Sequence, residues 1–149
     1  MTKVIHITGS VHGTLFDCVQ SVGESLAALL KATGYDVTKE FYINDAGNQI
    51  EKFGLSLEAR YLELFGKESQ IPEGGYHGED IKEHMQALAE LEGDRFLYMD
   101  SPSRRAYFIE YALEKNIKRM KKDLEDFGVT FDVWFNEQPL HDSGKVNQV

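Results

Sequence analysis

A group of polar residues suited to binding a charged ligand follows an apolar, aromatic run in residues 41–50. Asn44 and Asp45 come directly after the run, and Gly47 and Gln49 follow within four residues. Carboxylate and amide groups bind cations and hydrogen-bond donors, and glycine lets the backbone turn sharply. Since ligands of α/β proteins bind at the carboxyl ends of strands, this polar turn is a candidate binding site.

Two interpretations of Asp45 stay open at this point. It lies at the rim of an active site, with Gln49 beside it, or it is the N-cap or a first-turn acid of the next helix. A carboxylate there interacts favourably with the helix dipole. The two roles are compatible with each other.

A second candidate site is the loop 8–14, which contains Thr8, Gly9, His12 and Gly13. The loop precedes a predicted helix, and a helix N-terminus favours anions. His12 is therefore a candidate phosphate ligand and catalytic residue. The alternative is an ordinary loop histidine beside an N-cap.

Other reactive side chains carry weaker signals. His77 and His84 lack the Cys pair or compact His/Asp cluster of a metal site, so no metal is predicted. Cys18 has no evident His-Asp pairing and is predicted to be a buried thiol. Glu137 and Lys145 follow a predicted strand end and are weak candidates for approaching a ligand.

Composition indicates one globular domain of 149 residues with 42% hydrophobic residues. A single cysteine, no membrane-length apolar run and no signal-peptide pattern favour a cytoplasmic protein. The net charge of -9 argues against a stand-alone nucleic-acid binder. One basic helical cluster is interpreted mainly as a solvated face, and otherwise as a tRNA-backbone contact. Its members are Lys115, Lys118, Arg119, Lys121 and Lys122.

The order of predicted elements gives the fold class. Residues 3–7 form a strand, an apolar 4–3–4–3 spacing from Leu15 to Leu29 forms one helix face ending near Gly34, and 35–43 form a second strand. A right-handed crossover makes this pair parallel. Helices follow up to Gly66, over 79–92, and from about 100 to Gly128.

The remaining elements are a strand and a helix start. Residues 129–135 alternate, with Phe131, Val133 and Phe135 on one face, and predict a third strand. Residues 141–146 predict the start of another helix. The sequence therefore predicts an α/β protein whose parallel sheet carries a mostly helical insertion between strands.

Several motifs of the polar turn and beyond resemble the catalytic domain of bacterial arginyl-tRNA synthetases, and the resemblance covers roughly residues 22–146. Several linked motifs in one order are far more specific than any single motif. The matching segments are 42–50, 54–61, 75–79, 110–114, 123–125, 127–129, 131–135 and 144–146.

The resemblance implies a fold and a domain plan. The fold is a Rossmann-like half-domain of a class I synthetase, so residues 1–149 are expected to form a single partial catalytic domain. Within it, 1–50 form the first strand-helix-strand unit, about 51–103 the helical insertion, and 104–149 the long helix, a strand and the start of the next helix.

The resemblance also implies a reaction and its partners. Arginine attacks the α-phosphate of ATP, supplied with magnesium, and the arginyl group then passes to tRNA. The implied substrate- and nucleotide-binding residues are Thr8, Gly9, His12, Gly13, Asn44, Asp45, Gly47 and Gln49. No membrane partner is expected.

Two departures from the family pattern limit that expectation. The family's His-X-Gly-His signature retains its first histidine, as His12, when one extra residue is allowed downstream, whereas without that gap the signature falls on residues 13–16 and both histidines are lost. In either alignment the second histidine is absent, and the arginine-binding Asn falls on His6. No Lys-Met-Ser-Lys-Ser-type loop occurs. We therefore expect no complete aminoacylation by this chain alone, and either self-association or a complementing second half. The alternative function is a non-catalytic synthetase-like module that binds a nucleotide, a tRNA end or a protein partner.

Overall fold

The computed structural model describes residues 2–7 and 15–144, with side chains from residue 22 onward. The chain divides into two compact units, one of Met1–Ala46 with Met120–Val149 and one of Gly47–Arg119. The elements are β1 (Thr2–Ile7), α1 (Leu15–Ala32), β2 (Asp36–Ile43), α2 (Asn48–Leu64), α3 (Glu79–Glu92), a 3-10 turn (Arg95–Tyr98), α4 (Ser101–Asp126), β3 (Val133–Asn136) and α5 (Gln138–Asp142).

The described strands form a parallel sheet in the order β1-β2-β3. Ile7 pairs with Phe41, and Ile43 pairs with Asn136. Because β2 and β3 end in register, the residues that follow them leave the sheet at the same edge. The predicted α/β class, the parallel first pair and the helical segment before the third strand are confirmed.

One face of β2 forms the core of the sheet unit. Val37, Lys39, Phe41 and Ile43 are buried, and the residues between them are half-buried. The Phe41 ring stacks on Trp134 with the centroids 4.7 Å apart. The buried Lys39 ammonium lies 2.8 Å from a Glu24 carboxylate oxygen on α1, so its charge is compensated inside the fold.

The predicted apolar face of α1 is exposed over its described side chains. Val22, Leu26 and Leu29 are 69%, 47% and 65% exposed, whereas Gly23 and Ala27 are buried. Small residues let the helix approach a neighbouring layer closely, which leaves the larger side chains on the outer side.

The prediction for β3 was wrong in its extent and in its facing residues. The strand starts at Val133, not at 129. Phe131 packs edge-on against Phe41 and Trp134, whereas Phe135 stacks with Tyr42. The alternation is interrupted because the Asp132 side chain, in place of a main-chain carbonyl, accepts the hydrogen bond from the Lys39 backbone.

Helix ends follow their local signals, except at α5. Asp100 Oδ1 accepts a hydrogen bond from the Ser103 backbone N–H at the start of α4. Gly128 follows the end of α4 with a φ of 84°. The last helix begins at Gln138 rather than at 141, since Pro139 is favourable in a first helical turn. Residues 145–149 lie outside the described residues.

The helical unit has its own core and a buried ionic network. Glu58 and Arg104 are 7% and 8% exposed, and Arg104 Nη2 lies 2.6 Å from Glu58 Oε1. Ser101 Oγ and Arg105 Nη1 also contact this carboxylate. The buried core residues are Phe53, Leu57, Tyr61, Ile81, Met85, Leu88, Phe96, Phe108 and Ala112.

Candidate binding site at the carboxyl ends of two strands

Asp45 joins the ends of β2 and β3 within the sheet unit. Its Oδ2 accepts a hydrogen bond from Asn136 Nδ2 at 2.6 Å. Its Oδ1 accepts one from the Gln138 backbone N–H at 2.9 Å. The interpretation of Asp45 as the cap of the next helix was wrong, because α2 begins after Gly47 and has no side-chain cap. The carboxylate instead receives the first N–H of α5.

Glu137 forms the second half of this arrangement. Its backbone N–H donates to Ile43 O at 3.1 Å, and its Oε1 lies 3.2 Å from His141 Nε2. With the Asn44 amide oriented so that both of its ends are satisfied, Asn44 Nδ2 donates to Glu137 Oε2 at 2.9 Å. The strand-end cluster is Tyr42, Asn44, Asp45, Asn136, Glu137, Gln138 and His141.

The Tyr42 hydroxyl lies close enough to Glu137 and Asp45 for their negative charge to affect its pKa. Desolvation raises the pKa of its hydroxyl, and so do a hydrogen bond to Glu137 and the charges of Glu137 and Asp45. Among the described residues, no lysine or arginine forms an ion pair with either carboxylate. The cluster is therefore suited to a cationic or hydrogen-bond-donating group.

The other two described candidates lie in the helical unit. Gly47 precedes α2 with φ 78° and ψ -164°, a conformation essentially restricted to glycine. Gln49 is exposed in the first turn of α2, and its Oε1 lies 3.1 Å from the Tyr76 hydroxyl.

The structure describes some of the remaining candidate residues but not others. Thr8, Gly9, His12 and Gly13 lie outside the described residues, and no side chain is described for His6 or Cys18. His77 is exposed, and His84 Nε2 lies 2.7 Å from Asn116 Oδ1. In the described part of the chain, no group of three His, Cys, Asp or Glu side chains is arranged to bind a metal ion. No described helix is long and apolar enough to cross a membrane.

Sequence reasoning missed Asn136, Gln138 and His141. The signal that could have found them is the parallel register. If β2 and β3 run in the same direction and end together, the polar residues after β3 must lie beside Asn44 and Asp45. Glu137 was a weak candidate because it follows a predicted strand end.

Comparison with known proteins gives close relatives along the whole chain. The arginine–tRNA ligase of Acetivibrio thermocellus is 55% identical over 149 residues, which is 99% of this chain and 25% of the relative. That of Moorella thermoacetica is 57% identical over 126 residues, 85% of this chain and 22% of the relative. No family model matches the chain.

A solved structure has the same fold. It is a protein from Campylobacter jejuni provisionally named arginyl-tRNA synthetase, with a TM-score of 0.79 and 22% identity over 99% of this chain and 34% of that one. The chain spans about a quarter of the length of the curated relatives it matches. It is homologous to one segment of the arginine–tRNA ligases, as its motifs predicted.

Proposed function

We propose that this chain is an arginine–tRNA ligase catalytic-domain segment whose strand-end cluster contacts the cationic substrate. The observation that carries the proposal is the position of Asp45, which links the carboxyl ends of two parallel strands. In α/β enzymes this edge of the sheet faces the ligand. Identity of 55% along the chain supports the same family of reactions.

The reaction proposed for the whole enzyme, of which this chain is a segment, has two steps. The carboxylate oxygen of arginine attacks the α-phosphorus of ATP, an arginyl–phosphate bond forms, and pyrophosphate leaves. The terminal hydroxyl of tRNA then attacks the arginyl carbonyl and releases AMP, and its proton passes to solvent. Such phosphoryl chemistry depends mainly on positioning and on charge stabilisation.

The chain's own residues would bind and orient the substrate. Asp45 and Glu137 supply negative charge, and Asn136 and Asn44 hold the two carboxylates by one hydrogen bond each. A guanidinium or ammonium group brings the positive charge that no lysine or arginine among the described residues supplies here, and carboxylates bind guanidinium groups strongly. The cluster would therefore bind arginine by one of its cationic ends.

ATP is proposed as a substrate and magnesium as its counter-ion. Magnesium in such sites is held largely by the phosphates and water, with one or two carboxylates. Among the described residues, no group of three His, Cys, Asp or Glu side chains is arranged to bind the ion. The candidate phosphate contacts are Thr8, Gly9, His12 and Gly13.

For tRNA, the proposed contact is the basic cluster of α4. Lys115, Lys118 and Lys121 are exposed, as phosphate contacts must be. Lys121 also lies 4.6 Å from the Trp134 ring centroid, and Lys122 is paired with Asp126. These intramolecular contacts favour the solvated-face interpretation for that end of the helix.

We also propose that the chain self-associates or binds a complementing second half. Val22, Leu26 and Leu29 form an exposed apolar stripe on α1, and such a stripe favours association with another surface. Light scattering of Leu26→Glu against the unmodified chain tests self-association, and a monomer in both would contradict that part of the proposal. The proposed setting is the cytoplasm, consistent with a single cysteine.

Calorimetry of the full chain with L-arginine, ATP and tRNA, each alone, tests the main proposal. Binding of L-arginine that Asp45→Ala weakens would support it. Silence with all three ligands would overturn it and would favour the alternative role of a protein-binding module. Arginine-dependent exchange of labelled pyrophosphate into ATP would contradict the expectation that this chain lacks the full activity.

A further inference from the structure

Tyr76 is held against the first three turns of α2 by its backbone, its ring and its hydroxyl. Its backbone N–H donates to Ser56 Oγ at 2.9 Å. Its ring meets Phe53 edge-on, with the centroids 5.4 Å apart. Its hydroxyl lies 3.1 Å from Gln49 Oε1. These contacts fix both the main chain and the side chain of Tyr76.

The loop before Tyr76 is closely packed at its two glycines. A Cβ added to Gly75 would lie 2.6 Å from Ile71 Cγ2 and 2.8 Å from Ser56 Oγ. Gly74 has a φ of 69°, and a Cβ there would lie 2.9 Å from Lys52 Nζ. Gly75 therefore lets the loop approach Ser56 on α2 closely, and the Lys52 ammonium lies beside Gly74.

The Tyr76 hydroxyl determines which end of the Gln49 amide is available. When the phenol donates to Oε1, both hydrogens of Nε2 point away from Tyr76. Within the described part of the chain, Gln49 Nε2 makes no hydrogen bond and Lys52 makes no ion pair. Residues three apart on a helix share a face, so Gln49 and Lys52 lie on the same face of α2.

We propose that Tyr76 is a positioning residue that presents Gln49 Nε2, together with Lys52, to an oxyanion of the ligand. The oxyanion is a phosphate or a carboxylate, because both groups accept from amide and ammonium donors. This inference rests on the proposed function, which supplies the substrates: ATP and tRNA carry phosphates, and arginine carries a carboxylate.

The first test needs no ligand. NMR of the full chain would follow the side-chain amide protons of Gln49 in Tyr76→Phe, which keeps the ring and loses the hydroxyl. We expect the signals to move to the positions of an unrestrained glutamine. Tyr98→Phe, which removes another exposed tyrosine hydroxyl of the helical unit bonded to Asp94, is the control and should leave them unchanged. Unmoved signals in Tyr76→Phe would overturn the proposal.

The second test uses ATP, L-arginine, L-argininamide and tRNA as separate probes. Tyr76→Phe should weaken the responding probe about threefold to tenfold, and by less than about twofold when Gln49 is already alanine. Loss of the effect with L-argininamide would identify the carboxylate, and an effect on ATP or tRNA would identify a phosphate.

The binding results distinguish a failure of the proposed function from a failure of the positioning role of Tyr76. If the unmodified chain binds none of the probes, the proposed function and the ligand assignment both fall, whatever the Gln49 signals show. If it binds a probe and Tyr76→Phe binds it equally well, only the positioning role is overturned.

Discussion

Asp132 and Lys39 exchange a reciprocal pair of hydrogen bonds between β2 and the residue that precedes β3. The Asp132 backbone N–H donates to Lys39 O at 2.9 Å, and the Lys39 N–H donates to Asp132 Oδ2 at 2.8 Å. The pair continues the register in which Glu40 faces Val133. It therefore fixes the strand whose far end brings Asn136 to Asp45.

We expect Asp132→Ala to lower the free energy of unfolding by about 1–3 kcal/mol, because the Lys39 N–H loses its acceptor in a half-buried place. Asp132→Asn keeps an acceptor oxygen and should remain near the unmodified value. Urea denaturation followed by circular dichroism measures both. Equal losses of stability in the two variants would contradict this prediction, because they would show that the charge of Asp132, and not its hydrogen bond, stabilises the fold.

Removing the carboxylate of the buried ionic network should destabilise the helical unit. Glu58→Ala leaves Arg104 buried without its partner, and we expect a loss of about 3–5 kcal/mol. Glu63→Ala breaks the more exposed pair with Arg60 and should cost less than about 1 kcal/mol. Thermal or urea unfolding compares them, and similar effects would refute the role of the network.

The turn between β2 and α2 should require glycine at residue 47. Gly47→Asn forces a side chain into φ 78° and ψ -164°, at a cost of about 1–3 kcal/mol. Gly66→Asn is the control, since Gly66 ends α2 with a φ of 66° and asparagine is common at such helix ends. Urea denaturation should separate the variants, and equal stability would contradict this prediction.

The raised pKa of Tyr42 predicts a loss of stability in alkaline solution. The folded-state pKa lies above the ordinary value of 10.0, so the neutral phenol favours the folded state. That contribution is full below pH 10.0 and is lost as the pH rises through the folded-state pKa. Glu137→Gln removes the hydrogen-bonded charge and should lower the pKa.

NMR of the Tyr42 ring measures this titration directly. Glu83→Gln, an exposed change in the other unit, is the control and should leave the midpoint unchanged. A midpoint that is the same with and without the Glu137 charge would contradict the contribution to the raised pKa that is assigned to Glu137.

Local patterns predicted the elements, but not the contacts that build the site. The period of β2 and the glycine after α4 are local signals, and both elements lie where the sequence indicates. The Asp45–Gln138 hydrogen bond joins residues 93 positions apart, so no local pattern encodes it. Asp132 breaks the strand pattern for the same reason, because its partner is Lys39 on another strand.

The α1 face shows another limit of local patterns. The spacing of Val22, Leu26 and Leu29 describes an apolar face correctly, but spacing alone does not say what covers it. The sequence motifs were sufficient to identify the resemblance to arginyl-tRNA synthetases, because several of them occur in the same order as in that family. The homology to arginine–tRNA ligases over 99% of the chain agrees with them.

NMR of the isotope-labelled full chain, in which L-arginine is mapped onto the backbone amides, is the most direct test of whether the strand-end cluster binds the cationic substrate. We predict the largest shifts at Asn136, Glu137 and Gln138, and their loss in Asp45→Ala. Saturating L-arginine that leaves these three amides unmoved, or that moves them equally in Asp45→Ala, would contradict the claim.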